Sequence, residues 1–200
     1  MVKKGILITL EGIDGTGKSS VIKGLEIRFQ DAVFTREPTH NWIGKAVQKS
    51  IESNTDPLAE LFLFVADHAE HIASVIRPAL SEGKMVISDR YSDSRYAYQG
   101  VTLAGLFDDA MGWIQGIHKA WTVVPDLTIL FKIDPAVAVE RCGNRGNHTK
   151  FEKIEFLRKV QDNFLKLAGQ EQERFVVVDA GKAQEAVLVD VVRAIEERIN

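Results

Sequence analysis

Residues 5–20, GILITLEGIDGTGKSS, constrain the fold of this chain more than any other segment. An apolar run, 5–10, leads into GIDGTGKS at 12–19, which matches the phosphate-binding loop pattern G-x-x-x-x-G-K-[ST]. The residues that follow, SSVIKGLEIRF, are compatible with a helix. Because such a loop lies between a strand and a helix, the segment predicts a strand, a phosphate-binding turn and a helix in that order.

The fixed positions of the loop each have a physical reason. Glycine permits a positive φ and lets phosphate oxygens approach the backbone, whose N–H groups and following helix dipole attract the anion. Lys18 is expected to reach the β- and γ-phosphates of a nucleoside triphosphate, and the Ser19 hydroxyl is expected to bind Mg²⁺. The predicted triphosphate-binding residues are Gly12, Ile13, Asp14, Gly15, Thr16, Gly17, Lys18, Ser19 and Ser20.

Composition narrows the class of protein. The chain has 200 residues, a formal net charge of −3 and one cysteine, Cys142. The length suits a single domain over 1–200, and the charge argues against a broad basic surface for nucleic acid. A lone cysteine forms no intrachain disulfide, and the N-terminal apolar run is too short for a signal peptide or a membrane span. We therefore expect a cytoplasmic protein with no nucleic-acid or membrane partner.

Strand-like and helix-like runs alternate along the whole chain. The strand-like runs are mostly continuous and apolar, as in a parallel sheet that is covered on both faces. They are residues 5–11, 32–35, 85–88, 127–133 and 175–178. The helix-like runs are residues 18–30, 58–80, segments between 94 and 121, 137–142, 151–168 and 183–199. This alternation predicts an α/β fold with a doubly wound parallel sheet and helices on both faces.

Charged residues follow three of the predicted strands. Arg36 follows the second strand, Asp89 and Arg90 follow the third, and the helix after the fourth leads to Arg141 and Arg145. Since ligands of doubly wound sheets collect at the carboxyl ends of the strands, these arginines predict a second phosphorylated ligand beside the triphosphate. Asp89 is expected to hold Mg²⁺ directly or through water; a turn-capping aspartate is the alternative.

Residues 141–150, RCGNRGNHTK, combine two arginines with two glycines and lack apolar periodicity. The segment predicts a mobile, positively charged flap that closes over the γ-phosphate, excludes water and stabilises transition-state charge. A flexible surface loop without a catalytic role is the alternative.

Phe64 and His68 lie four residues apart in the predicted helix 58–80 and therefore share a face. An aromatic ring beside a hydrogen-bonding side chain suits stacking on a nucleobase and reading its edge. Spacing alone leaves open the alternative that both are structural core residues. The other apolar positions of this helix that we predict to be core are Phe62, Ala69, Ile72 and Ile76.

Taken together, these residues resemble the thymidylate kinases, which belong to the nucleoside monophosphate kinase group. The resemblance covers nearly the whole chain and is carried by EGIDGTGKSS, FTREP, LFLFVADH, IRPALSEGKMVISDRYSDSRYAYQG, PDLTILFKI and VVDA. It implies a five-stranded sheet in the order 2-3-1-4-5 with a short flexible lid. It further implies ATP and dTMP as substrates, dTDP and ADP as products, Mg²⁺ as cofactor and a homodimer.

The resemblance also assigns roles by position. It implies that Phe64 stacks on thymine, Tyr98 lies under the deoxyribose, and Asp14 faces the reacting phosphates. Because Gly15 stands where some relatives have arginine, the catalytic arginine is expected from the flap, with Lys150 behind it. The implied dTMP-binding residues are Arg36, Phe64, His68, Arg90, Ser94, Arg95 and Tyr98. The implied catalytic residues are Asp14, Lys18, Arg90, Arg141 and Arg145. A cis peptide is expected between Glu37 and Pro38.

The chain departs from the family pattern at two positions of the base site. Relatives usually have arginine where this chain has His68, and a small residue or an amide where it has Arg95. Our hypothesis is that His68 and Arg95 share the contacts to the base edge that one arginine makes elsewhere. This departure keeps open a kinase for dUMP, UMP/CMP or a deoxynucleoside. A switch GTPase is disfavoured because no N-K-x-D segment occurs, and an inactive nucleotide-binding module because the charged residues are all present.

Overall fold

A computed structural model describes the backbone of residues 5–142 and 150–199, and side chains except those of 150–152. Its five strands are β1 (Ile6–Glu11), β2 (Val33–Arg36), β3 (Met85–Asp89), β4 (Leu127–Lys132) and β5 (Phe175–Asp179). All pairs are parallel, and the strand order is β2-β3-β1-β4-β5. The predicted sheet and its order are therefore confirmed. Every strand-to-strand connection consequently needs a crossover, which the helices provide.

The helices of the described residues lie between and after these strands. They are α1 (Lys18–Arg28), α2 (Trp42–Glu52), α3 (Pro57–His71), α4 (Arg77–Ser81), α5 (Ser92–Thr102), α6 (Ala110–His118), α7 (Pro135–Cys142), α8 (Lys150–Gln170) and α9 (Gln184–Ile199). A π-helical turn, Ile72–Ile76, joins α3 to α4, so the predicted helix 58–80 is one helical run with an internal bulge. No described helix is long and apolar enough to span a membrane.

Helix α2 was missed by the sequence analysis, although its signals are present. The Asn41 side chain caps it by accepting hydrogen bonds from the backbone N–H groups of Ile43 (2.8 Å) and Gly44 (2.9 Å). Apolar residues then recur at Ile43, Val47 and Ile51, which is the spacing of an amphipathic helix. Its importance for function is that Ile51 lines a cavity of the candidate active site described below.

The core surrounds the two central strands. Adjacent residues of both strands are buried, namely Leu7 and Ile8 of β1 and Leu130 and Phe131 of β4. Alternate residues of a strand face opposite sides of a sheet, so apolar burial along the whole strand requires cover on both faces. The helices that provide it pack in two groups, α1 with α9, and α5 with α6 and α8.

The inward face of α3 is narrower than predicted. Leu61, His68 and Ile72 are buried and recur at helical spacing, and Ile76 is buried as expected. The prediction that Phe62 and Ala69 are core is wrong, because each lies one residue past the buried stripe. Phe62 is 50% exposed and meets Trp113 of α6 edge to face.

Candidate active site

The register of the parallel strands brings the predicted charged residues to one edge of the sheet. Asp89, the last residue of β3, pairs with Leu10 of β1 on one side and Arg36 of β2 on the other. The phosphate loop begins one residue after Glu11, so it starts at this same edge. The carboxyl ends of three strands thus meet where ligands of doubly wound sheets bind.

The phosphate loop depends on glycine at two positions because it packs tightly against neighbouring backbone. Gly12 and Gly15 have φ values of 138° and 85°. A Cβ would lie 2.5 Å from the Phe131 carbonyl oxygen at Gly12 and 2.3 Å from the Ala138 carbonyl oxygen at Gly15. The loop therefore packs closely against the end of β4 and helix α7.

Lys18 lies inside the loop that it follows. Its ammonium donates to the carbonyl oxygens of Gly12 (3.0 Å) and Ile13 (3.1 Å) and to the Thr16 hydroxyl (3.1 Å). Burial, with Arg90 nearby, lowers its pKa to about 8. Phosphate oxygens placed beside this ammonium would favour its charged form, so ligand binding and lysine protonation support each other.

Arg90 joins the loop to helix α5. One terminal nitrogen donates to the Gly12 carbonyl oxygen (3.1 Å) and the Ser94 hydroxyl (3.0 Å), and the other to the Asp14 carboxylate (2.7 Å). Its φ is 67°, a left-handed conformation that costs a non-glycine residue roughly 1–3 kcal/mol. The backbone N–H of Arg90 donates to the Leu10 carbonyl oxygen (3.0 Å), and this hydrogen bond holds the Arg90 backbone against the end of β1.

Asp14 is an ionised carboxylate at the opening of the site. Partial burial alone would raise its pKa, but Arg90 and Lys18 outweigh that effect and lower it. The Tyr98 hydroxyl accepts from the Asp14 backbone N–H (3.1 Å). Asp14 therefore connects the loop to the tyrosine and arginine of the neighbouring elements while its side chain stays 62% exposed.

A cavity of about 280 Å³, which we call the acceptor cavity, opens beside Asp14 and Arg90. The predicted residues that line it are Asp14, Phe64, Arg90, Ser94, Arg95 and Tyr98. Lining residues that sequence analysis did not place there are Glu37, Pro38, Ile51, Glu60, Gln99, Thr102 and Phe156. The peptide bond between Glu37 and Pro38 is cis, as predicted. An aromatic and aliphatic wall with a few convergent polar groups is what a nucleobase pocket needs.

Two of the predicted dTMP-binding residues lie elsewhere. Arg36 is exposed and lines a separate cavity with Ser19 and Asp89, below the start of α1. His68 is fully buried and does not line the acceptor cavity. The structure thus separates His68 from Phe64, although both belong to α3.

The position of His68 is explained by a buried carboxylate that sequence analysis did not recognise. One oxygen of Glu37 accepts from His68 Nδ1 (2.8 Å) and His71 Nδ1 (2.7 Å), and the other accepts from Arg95 (2.5 Å). Burial alone would raise the pKa of Glu37, but Arg95 and His68 hold it well below its usual range. We call this group, with His118 beside Arg95, the Glu37 cluster.

The hypothesis that His68 contacts the base is corrected by this geometry. Its second ring nitrogen meets the Thr122 hydroxyl (3.2 Å), so both nitrogens are occupied inside the protein. Burial and Arg95 lower the pKa of His68 to about 4, so the ring is neutral at physiological pH. His68 supports Glu37, and of the pair in our hypothesis Arg95 is the one that lines the cavity.

Ser19 and Asp89 fit a magnesium ion. They line the same cavity, and Asp89 Oδ1 is buried without a hydrogen-bond partner among the described residues. A buried carboxylate oxygen normally has a partner, and Mg²⁺ prefers hard oxygen ligands together with substrate phosphates. The donor set at this position is therefore suited to the metal of a metal–nucleotide complex.

Arg141 does not line the acceptor cavity. It donates to the Ala180 carbonyl oxygen (3.0 Å) and lines a cavity of about 260 Å³ with Thr16, Gly17 and Ser20. Arg141 therefore lies beside the phosphate loop. Arg145 lies outside the described residues, as does the Lys150 side chain, so the flap and its catalytic arginine stay predictions.

The main residues that sequence analysis missed are Glu37, His71 and His118. His71 follows His68 by three residues, which places both on one face of α3, and this spacing was the available signal. Nothing local marks His118, which reaches the cluster from α6, more than twenty residues beyond Arg95. Its role depends on tertiary packing alone.

A phosphate loop, a metal-compatible carboxylate and a second ligand cavity on a 2-3-1-4-5 sheet define a P-loop nucleotide kinase. The family model for thymidylate kinase matches residues 10–191. A "Probable thymidylate kinase" of Methanococcoides burtonii is 61% identical over 96% of both chains, and one of Methanosarcina mazei is 59% identical over 98% of both. One of Natronomonas pharaonis is 47% identical over 96% of this chain and 97% of its own. The chain belongs to the thymidylate kinase family.

Replacing Gly15 with Ala should weaken ATP binding. The new Cβ would meet the Ala138 carbonyl oxygen, so the loop must move away from α7. A strain of about 1–3 kcal/mol at a positive φ corresponds to a loss of roughly five- to 150-fold in affinity. Titration calorimetry with ATP measures this, and Gly105→Ala is the matched control because a Cβ there meets nothing within 4 Å. Equal ATP affinity in both variants would contradict the role given to Gly15.

The buried neutral state of His68 predicts a specific pH dependence of stability. Its folded pKa lies near 4, below that of an unfolded histidine near 6.5, so protons bind preferentially to the unfolded chain in this window. The free energy of unfolding should therefore fall as the pH decreases from about 6.5 towards 4.

In His68→Gln, the slope of unfolding free energy against pH should be flatter by about 1 kcal/mol per pH unit between pH 6 and 5. Urea unfolding at several pH values measures it. Thr122→Val is the control, since it removes a hydrogen bond of His68 without removing a titrating group. Parallel curves for wild type and His68→Gln would refute the assignment.

Proposed function

We propose that this protein is an ATP-dependent thymidylate kinase that transfers the γ-phosphoryl group of ATP to dTMP, giving ADP and dTDP for dTTP biosynthesis. The observation that carries the proposal is the acceptor cavity, which places Phe64 and Arg95 in one pocket with Asp14 and Arg90 beside the phosphate loop. Family membership supports the same reaction.

Phosphoryl transfer needs positioning and neutralisation of charge more than covalent chemistry by the protein. In our proposal Lys18 and the loop N–H groups hold the triphosphate. Arg90 contacts the loop and also lines the acceptor cavity, so its charge lies between the donor and acceptor phosphates. Arg36, at the end of β2, lines the separate cavity with Ser19 and Asp89, and in our proposal it supplies a second positive charge from there.

The acceptor nucleoside is positioned by the aromatic and polar residues of the cavity. Phe64 offers a ring for stacking on thymine, worth about 1–3 kcal/mol for a base. The Arg90 guanidinium carbon lies 5.1 Å from the centroid of the Tyr98 ring, and the Tyr98 hydroxyl accepts a hydrogen bond from the Asp14 backbone N–H. We propose that the deoxyribose rests on this ring, which would crowd a 2′-hydroxyl.

Ser19 and Asp89 would hold Mg²⁺ in this reaction. The ion supplies charge neutralisation at the β- and γ-phosphate oxygens when it is bound. Asp89 contributes the buried oxygen that has no hydrogen-bond partner in the part of the chain described here. On the other side of the loop, we place the nucleoside of ATP near Arg141, and the flap residue Arg145 remains our candidate for the catalytic cation.

We further propose a homodimer. Phe62 and Trp113 are 50% and 36% exposed, and Trp113 stacks on Phe107 with centroids 4.2 Å apart. Leu106, 60% exposed, precedes Phe107 in the segment between α5 and α6 and adds a further exposed apolar side chain. Contiguous exposed aromatic residues favour a protein–protein interface over a solvated face.

The substrate proposal is tested by ADP formation from ATP with dTMP, dUMP, UMP and CMP in parallel. We expect dTMP to have the highest kcat/KM, because the chain belongs to the thymidylate kinase family. Lys18→Met should lower kcat/KM by at least about a hundredfold, since a charge that stabilises transferring phosphate is lost. A higher kcat/KM for another monophosphate would replace dTMP in the proposal, and activity in Lys18→Met equal to that of wild type would refute the site.

The dimer is tested by light scattering after gel filtration of Phe62→Glu combined with Trp113→Glu. A buried carboxylate at an apolar interface is costly, so the variant should elute as a monomer while the wild type elutes as a dimer. Val189→Glu, an equally exposed apolar site on α9, is the control. A monomeric wild type, or an unchanged dimer in the double variant, would contradict the interface.

A further inference from the structure

Two of the three guanidinium nitrogens of Arg95 have hydrogen-bond partners among the described residues, and the third has none. Arg95 is 2% exposed, yet it lines the acceptor cavity. Its Nε donates to His118 Nε2 (3.3 Å) and its Nη1 donates to Glu37 (2.5 Å). Its Nη2 has no hydrogen-bond partner within the described parts of the chain. A buried donor without a partner normally marks a place where something else binds.

His118 has one tautomer that fits its surroundings. Its Nδ1 lies 2.8 Å from the Ile114 carbonyl oxygen, which only accepts, so Nδ1 carries the hydrogen. Arg95 Nε only donates, so His118 Nε2 must carry the lone pair. Burial and Arg95 lower the pKa of His118 to about 3, so the ring keeps this neutral form at physiological pH.

The ring of His118 cannot turn easily away from Arg95. It stacks on Trp121 with centroids 5.3 Å apart and an interplanar angle of 25°, and it meets Tyr96 edge to face. On the opposite side, Glu37 is fixed by His68 and His71. The guanidinium is therefore clamped between a neutral acceptor and an anion, and both are themselves immobilised.

We propose that His118 is a positioning residue for substrate binding: its neutral imidazole and Glu37 fix the Arg95 guanidinium so that Nη2 donates to a carbonyl oxygen of the acceptor base. The proposal rests on the proposed function, because it concerns how the same cavity recognises dTMP. His118 lies on α6 and does not line the acceptor cavity, so in this proposal it acts on dTMP binding through Arg95. In the competing account, Nη2 of Arg95 binds a trapped water molecule and His118 contributes only packing.

Two substitutions at 118 separate these accounts. His118→Asn places its amide near the former Nδ1, so it can bond Ile114 but does not reach Arg95. His118→Gln extends an amide oxygen to the former Nε2 and can accept from Arg95. We expect His118→Asn to raise the KM for dTMP by roughly five- to thirtyfold with kcat and the KM for ATP within about twofold, and His118→Gln to restore the wild-type KM to within about threefold.

A double substitution tests whether His118 acts through Arg95. Arg95→Lys keeps a cation for Glu37 but cannot hold two partners and a base in fixed geometry. This variant should raise the KM for dTMP, and adding His118→Asn should change it by less than about twofold, because the pathway is already broken. Trp121→Phe is the packing control, expected to lower the melting temperature without changing the KM for dTMP.

The outcomes are distinguishable. An unchanged KM for dTMP in His118→Asn, an equal rise in the KM for ATP, failure of His118→Gln to restore binding, or full additivity with Arg95→Lys would each overturn the proposal. If circular dichroism shows that His118→Asn does not fold, His118→Gln still tests the proposal. A raised KM for dTMP in the His118→Gln single variant would overturn it. So would a KM for dTMP that is higher in the His118→Gln, Arg95→Lys double variant than in Arg95→Lys alone. Lack of dTMP phosphorylation by the wild type would instead overturn the proposed function, before any variant is compared.

Discussion

The active site depends on the junction between the phosphate loop and helix α5. Arg90 reaches back to Gly12 and Asp14, while Glu11, the last residue of β1, accepts from the N–H groups of Tyr91 (2.8 Å) and Ser94 (3.3 Å). Glu11 therefore caps the start of α5 from another strand. The phosphate loop also begins at the end of β1. The same strand end therefore positions both the phosphate loop and helix α5, which lines the acceptor cavity.

The two buried glutamates of the site have opposite pKa shifts, and the difference lies in their partners. Burial, with Asp93 nearby, raises the pKa of Glu11 to about 8, since most of its hydrogen bonds come from neutral donors. Glu37 meets Arg95 and two histidines, and its pKa falls well below the usual range. Although both side chains are buried, Glu11 beside the loop is therefore readily protonated, whereas Glu37 behind the base pocket stays an anion.

The sequence alone predicts the parts of this fold that are governed by local rules. The loop, the continuous apolar strands and the strand order followed from patterns within short segments or from the family resemblance, and Phe64 does line the cavity. His68 was misjudged because its helical spacing from Phe64 is correct, but Glu37 draws it inward. That contact joins residues 31 positions apart and has no local signature. The same holds for His118, whose partner Arg95 lies on a different helix.

The packing of Gly15 bears on which residues we propose as a source of positive charge for the triphosphate. A side chain at this position would collide with the backbone of α7, so an arginine there would require the loop and helix to separate. The same close contact fixes α7 beside the loop, and Arg141 near its end is held by the Ala180 carbonyl oxygen. Glycine at 15 thus lets the loop pack against α7, and this packing brings a helix with an arginine in its last turn beside the phosphate loop. Both features follow from one backbone contact, and they support our proposal that the catalytic cation comes from the end of α7 or the segment after it and not from the loop.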